Sequence, residues 1–466
     1  MKKEKNNLNN QGITLMALIV TIVIMLILAA VSFGVINGGL FNYARSAKLS
    51  SEDAKNLERI QNAYLLAKGK SKSTVVDENE LQRQVDIALP DKDATVAKEG
   101  NGFVVLIGDK YYEITNNGIV NAPQTLKKIE NAGDITKSGT CTGTEDNPYQ
   151  IECIEDLVKL AELTNKKDSK IASNKYYLLV NDLDFNSIFS YSNYKAKYIY
   201  NSEADCYEPD LTGESGKGIK ELCTTGQGFI PIGLEYSNNN TTQTFRGIFY
   251  GEEQREIRNI YINRSGVASL FGAGVGVTIE NITVDGNIKS TSSYATGIIG
   301  NSYGTTIRHC YNKAKVEGKT SAAGIYYNGG ANITECGNEG EITAGNGIAA
   351  GISITELPLK KCYNKGKIKS GLHAAGICGH GLGGTPNIVN CYNTGTVTAG
   401  TDVCCAAGIT YWKGSPMYNC YNTGEITGAC VQKNSARYGI GRSMSNCYKL
   451  CCKCNKLLFF RFIENY

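Results

Sequence analysis

The chain has 466 residues and a formal net charge of +4, too slight a positive balance to make a case for nucleic acid as a partner. Its three histidines, His309, His373 and His380, leave little for a metal or other cofactor to be built on, and none is expected. The 17 cysteines are an odd number, so at least one is unpaired, and 52 glycines call for an architecture with many corners.

Residues Ile13 to Ile36, ITLMALIVTIVIMLILAAVSFGVI, carry no charge. At about 1.5 Å per residue such a helix is long enough to cross a bilayer. Lys2, Lys3 and Lys5 precede it. That flank predicts a cytoplasmic N-terminus, a single pass through the cell membrane and the rest of the chain at the cell surface. A basic leader over 1–12, a transmembrane helix over 13–36 and a helical extension over 37–73 are expected. Within the extension, SEDAKNLERIQNAYLLAK has helical periodicity, with Ser50 or Ser51 as cap. The segment QGITLMALIVTIVIMLILAAVSF resembles the N-terminus of type IV prepilins and pseudopilins. The resemblance implies cleavage between Gly12 and Ile13 and self-assembly through the helix. The family usually has Glu as fifth mature residue, which neutralises the N-terminal amine of a neighbouring subunit; here that position is Ala17, which carries no such charge.

Residues 74–120 predict a small α+β region. DENELQRQVDIAL reads as a helix, and FVVLIGDKYYEITNNGIV as two or three strands joined at Gly-Asp and Asn-Gly turns. A polar linker follows over 121–138. From 139 to 450 a β-helix is expected, with Ile154 to Leu163 as an amphipathic helix capping its open end. Cys206 and Cys223 flank a polar insertion and are candidates for one local disulfide. The segments GTEDNPYQIECIEDLVKLAELTN, YYLLVNDLDF, GFIPIG and FRGIFYGEEQREIRNIYI lead to Ser269-Leu270-Phe271-Gly272 and Gly297-Ile298-Ile299-Gly300. In that order they resemble bacterial GLUG-motif surface proteins. The resemblance implies a secreted or surface-attached right-handed parallel β-helix.

The period itself is read directly. Cys310, Cys336, Cys362, Cys391, Cys420 and Cys447 follow one another at intervals of 26, 26, 29, 29 and 27 residues. Each opens a variant of Cys-Tyr-Asn-x-Gly-x-Val/Ile, and an Ala-Ala-Gly-Ile relative lies between them at Gly324, Gly351, Gly376, Gly408 and Gly439. A fixed period of this size means one unit stacked on copies of itself. Even positions hold Cys, Asn, Gly and an aliphatic residue, so they share one inward strand face. Asn312, Asn338, Asn364, Asn393 and Asn422 are either an internal amide ladder or left-handed turn residues. Odd positions point to solvent. They alternate in sign, Lys313, Glu339, Lys365 and Lys315, Glu341, Lys367, which places opposite charges on neighbouring rungs.

The aromatic odd position, Tyr311, Tyr363, Tyr392 and Tyr421, is a candidate binding face for glycans or surface proteins; cross-rung stacking is the alternative. The phased cysteines read as small buried thiols. Cys447, Cys451, Cys452 and Cys454 do not have a zinc spacing, and residues 451–466 form an irregular tail. No HExxH is present, and no GxSxG, phosphate loop or dinucleotide fingerprint appears in a suitable context. A closer carboxylate pair than any in the repeats, Asp182 and Asp184, is equally explained by a turn or strand-end role. The chain is therefore expected to be non-enzymatic: a surface β-helix with an adhesion or binding role. A pilin-like subunit is the alternative, and a carbohydrate-active β-helix enzyme the third reading.

Overall fold

The computed structural model describes residues 49–432, apart from 72–74, 128, 167–173, 235–242, 356, 381–387, 401–404, 411–416 and 429. The Gly12–Ile13 junction, the apolar stretch 13–36, Cys447 and the tail 451–466 lie outside the described residues. The chain divides into two compact units between Lys128 and Ile129, inside the stretch expected as a linker.

The first unit opens with α1 (Ser51–Lys70), whose N-terminal amides are satisfied by Ser50: its Oγ accepts from the Asp53 amide at 3.1 Å. Leu57, Ile60, Ala63, Tyr64 and Ala67 recur every three or four residues and are buried. They meet α2 (Glu78–Ala88), capped by Asp77, and four antiparallel strands in order: β1 (Ala94–Glu99), β2 (Gly102–Ile107), β3 (Lys110–Ile114) and β4 (Gln124–Thr125). The turns fall at Gly108 and Gly118, both at positive φ, as the Gly-Asp and Asn-Gly dipeptides require. Buried Asp53 accepts from Lys110 Nζ at 2.8 Å and from the Tyr112 hydroxyl at 3.2 Å. Lys110 thereby holds that carboxyl below its usual range, and burial raises Tyr112 to about 12.

The expected fold class contained a membrane-crossing helix, and this part is corrected. Among the described residues no helix is long and apolar enough to cross a membrane. Among the described residues the longest helix, α1, is amphipathic: its buried stripe packs into the core of the first unit, and Glu52, Lys55, Glu58 and Arg59 are exposed, too many charges for a span.

The second unit is a parallel β-solenoid. It starts at β5 (Tyr149–Ile151), which pairs in parallel with β6 (Lys175–Leu179), and that strand with β7 (Gly247–Arg264). Each later strand then pairs with its equivalent one turn on. One turn runs Tyr311–Asn312, Lys315–Gly318, Ala322–Ala323 and Tyr326–Thr334, four segments. The register is direct: Asn312↔Asn338↔Asn364↔Asn393↔Asn422, and Val316↔Ile342↔Ile368↔Val397↔Ile426. Between β5 and β6, α3 (Ile154–Asn165) puts Ile154, Leu157, Val158, Leu160 and Ala161 into the solenoid core. The first strand of a solenoid has core on one side with no preceding rung, and this helix covers it.

The Asn column is the ladder, not the turn. Asn312, Asn338, Asn364 and Asn393 each donate Nδ2 to the Oδ1 of the next, at 2.6–2.7 Å. Each also donates to the carbonyl two residues on, at 2.9–3.0 Å. The left-handed corner lies three residues earlier in sequence. Asn281, His309, Glu335, Lys361, Asn390 and Asn419 all have φ between 49° and 59°. Their side chains form a second, exposed ladder: Glu335 lies 2.6 Å from both His309 and Lys361, and Asn419 donates to Asn390 at 2.7 Å. The Asn ladder begins at Asn312, because the preceding rungs place Val284 and Ile257 in that column. The Asn312 Oδ1 consequently has no partner.

Cys310, Cys336, Cys362, Cys391 and Cys420 form a buried column, with no disulfide. Each thiol donates to a carbonyl of the previous turn, from Cys310 to Ile279 at 3.4 Å through Cys420 to Ile388 at 3.4 Å. Burial, with the adjacent Cys310 thiol, pushes Cys336 well up. Neighbouring thiols and burial do the same to Cys391 and Cys420. The native chain should therefore label slowly with a bulky maleimide and react on unfolding. Fast native labelling of Cys362 or Cys391, read by mass spectrometry, is the contrary result. The disulfide considered for Cys206 and Cys223 does not form. Both are buried thiols, and Cys206 points at Glu208 instead, at 3.8 Å.

Candidate functional site

The tyrosine column stacks on itself. Tyr363 and Tyr392 lie 5.5 Å apart at 12°, Tyr392 and Tyr421 5.2 Å apart at 5°. Gly337 replaces the aromatic in one rung, and Tyr363 leans across it to reach Tyr311 at 6.2 Å. The ring faces of Tyr363 and Tyr392 are thus covered by neighbouring rings, Tyr421 is stacked on one face and half exposed, and Lys365 lies 4.6 Å from the Tyr363 centroid. What this column offers to solvent is a row of edges and hydroxyls, one of which, on Tyr363, donates to Glu339 at 3.1 Å.

The charge columns pair selectively. Lys365 meets Glu339 at 3.0 Å as the alternation predicts. Lys313 turns instead to Glu256 at 2.8 Å, and Lys315 to Glu317 on its own strand at 2.5 Å. Glu341 sits opposite Lys315 and Lys367 in register yet forms no ion pair within 4 Å among the described residues. The carboxylates Asp182 and Asp184 face Arg258, at 3.6 and 3.9 Å. Asp182 also accepts from the Glu256 amide and Asp184 from Asn259 Nδ2. These acids are strand-end partners of a guanidinium. Among the described residues no group of three His, Cys, Asp or Glu is placed to hold a metal. His373 Nδ1 accepts from the Cys405 amide at 3.0 Å.

A groove that the sequence did not single out lies on the outward face of the strands preceding the tyrosine column. It encloses about 280 Å³ and is lined by Tyr261, Asn263, Asn287, Lys289, Lys315 and Glu317 over the buried Ile262 and Ile288. Parallel pairing builds it: Tyr261, Asn287 and Lys315 form one stacked column, and Asn263, Lys289 and Glu317 the next. The backbone of Gln227–Phe229 runs alongside, accepting from the Asn263 amide and donating to the Tyr261 carbonyl. Glu317 lies between Lys315 and Lys289, at 2.5 and 3.3 Å, and Lys315 foremost holds its carboxyl below the usual range. Among the described residues the Tyr261 hydroxyl and the side-chain amides of Asn263 and Asn287 make no hydrogen bond, and no ring stacks on Tyr261. The signal was available in Ile260-Tyr261-Ile262 and Asn287-Ile288-Lys289, once these are aligned as rungs whose inward positions hold isoleucine.

These features define a repeat-built parallel β-solenoid protein. No family model matches the chain, and no curated protein does. A solved structure from Bacteroides ovatus, provisionally described as an immunoglobulin A1 protease, is similar at 16% identity and a TM-score of 0.40, over 62% of this chain and 86% of that one. A likeness of that size carries no functional argument.

Proposed function

We propose that this chain is a non-enzymatic bacterial surface protein whose solenoid binds polysaccharide along its outward sheet face, at the groove around Tyr261. The observation that carries the reading is the combination of one unstacked aromatic ring with unengaged amides on a rigid sheet. Sugars are recognised by that chemistry: an apolar ring face for the C–H side of a pyranose, and planar amides for its hydroxyls. Glu317 is a poor general acid for a hydrolase, since two lysines favour its ionised form. The surface assignment rests on the GLUG resemblance; the two phrases that carry it stack in register as rungs of the solenoid, with Phe271 beside Ile299 in the core. The test is binding of the full chain to immobilised bacterial and host polysaccharides. Tyr261→Ala should weaken retention of the selected glycan by about tenfold, the equivalent of ~1.4 kcal/mol. Tyr392→Ala should leave it within twofold. Equal loss in both variants, or no glycan retained, would sink the proposal.

A further inference from the structure

Just before the solenoid's first strand, Lys137 lies buried against α3. Its Nζ is 2.8 Å from Asp156 Oδ2 and 3.2 Å from Glu152 Oε2. Asp156 is fully buried, and its two oxygens are already gripped by backbone: Oδ1 by the Gly133 amide at 2.8 Å, Oδ2 by the Glu152 amide at 3.0 Å. Lys137 is itself held in the left-handed region, at φ 49°, as is Ser138 at 60°. A bulky non-glycine residue persists there only when its surroundings over-determine it. Asp134 supplies that constraint by accepting from the Thr136 and Ser138 amides at 3.0 and 2.8 Å. An amine, a carboxyl polarised by two N–H donors and a second carboxylate are thus fixed together with little water.

We propose that Lys137 and Asp156 condense within the folded chain into an intramolecular amide, with Glu152 carrying the proton. Burial works against the Lys137 ammonium, but the two carboxylates more than offset it, so the reaction starts from the charged pair. Glu152 takes one proton from Nζ, and the freed amine attacks Asp156 Cγ. The Gly133 amide faces the oxygen on which charge develops. The C–N bond forms, the bond from Cγ to Oδ2 breaks, and Oδ2 leaves as water with two of the three ammonium protons, one of them returned by Glu152. No oxidant, reductant or co-substrate is consumed, and a buried ion pair is exchanged for a neutral amide. Forcing such a pair to neutralise relieves the desolvation that both ions suffer. The product ties the turn at Asp134–Gly139 covalently to the first turn of α3, the helix that closes the solenoid.

The experiment is mass spectrometry of the purified full chain after trypsin. The expected result is no cleavage after Lys137 and a branched peptide, lighter by one water than its two arms, joined from Lys137 to Asp156. Lys137→Arg removes the nucleophile and should give two separate arms. Glu152→Gln keeps the fold, verified by circular dichroism, and should lower the linked fraction at least tenfold. Normal cleavage after Lys137 in the folded parent chain overturns the proposal. Full linkage in the folded Glu152→Gln variant overturns the role given to Glu152.

Discussion

Asn364→Asp should be among the most damaging single-atom exchanges this solenoid can suffer, and its cost should grow with pH. In the parent chain the Asn364 Nδ2 donates to Asn393 Oδ1 at 2.6 Å and to the Gly366 carbonyl at 2.9 Å, while its Oδ1 accepts from Asn338 at 2.7 Å. The site is fully buried. Replacing the NH₂ by oxygen sets an acceptor against two acceptors. An ionised carboxylate there has no cation to meet, and an uncompensated buried charge costs about 3–5 kcal/mol. Protonation restores one donor. The introduced carboxyl should therefore have a folded pKa above its unfolded value of about 3.9. The folded state then binds more protons, so the variant loses stability as pH rises from about 4 and levels off above its folded pKa. Urea unfolding of parent and variant at pH 4 and pH 7 measures this directly. A deficit that is the same at both pH values would mean that the substituted side chain has escaped to solvent and the ladder is not obligatory.

The ladder also shows where the sequence was readable and where it was not. Period, parallel stacking and direct register followed from the phased Cys, Asn and aliphatic positions, because an inward column tolerates few residue types and so leaves a trace in one dimension. The capping helix was legible for the same reason: Ile154, Leu157, Val158 and Ala161 share one face. The left-handed column escaped, because His309, Glu335, Lys361, Asn390 and Asn419 have nothing in common except backbone conformation. That column answers what the Asn of the repeat phrase left open, since one position makes the turn and another the amide ladder. The charge alternation gave the correct register and one expected partnership, Lys365 with Glu339, but not the others. Long side chains at the surface choose among several acids at small energy differences, a few tenths of a kcal/mol each, so Lys313 reaches Glu256 rather than Glu339. Tyr261 and the Lys137–Asp156–Glu152 cluster depend on chain segments that meet only in three dimensions. Rungs without the phased cysteine, where Arg255 and Ile282 stand in its register, hid the first, and no periodicity marks the second.

The two repeat phrases, Cys-Tyr-Asn and Ala-Ala-Gly-Ile, co-occur for a reason that makes a second large effect predictable. A Cβ on Gly376 would sit 2.0 Å from the Gly408 carbonyl oxygen and 2.5 Å from the Asn393 Cγ. Gly324 and Gly351 stand in the same relation to Asn338 and Asn364. The glycine column is the floor on which the amide ladder lies, and neither can change without the other. Gly376→Ala must displace both the backbone of the next turn and a ladder amide that makes three hydrogen bonds. Neither is the yielding end of a flexible side chain, so the cost should reach about 3 kcal/mol, the upper range for overpacking. Gly330→Ala, in the strand Tyr326–Thr334, is the matched control. Its Cβ would meet only Tyr303 Cδ1, at 3.9 Å, and stability should change by no more than about 0.5 kcal/mol. A double variant, Gly376→Ala with Asn393→Ala, separates the two clashes. Removing the amide frees the space at 2.5 Å but leaves the carbonyl at 2.0 Å in place. The pair should therefore be less destabilising than the sum of the single changes, yet still worse than Asn393→Ala alone. Strict additivity in urea unfolding would show that the glycine and the ladder do not touch, and that the spacing between the two phrases has some cause other than this contact.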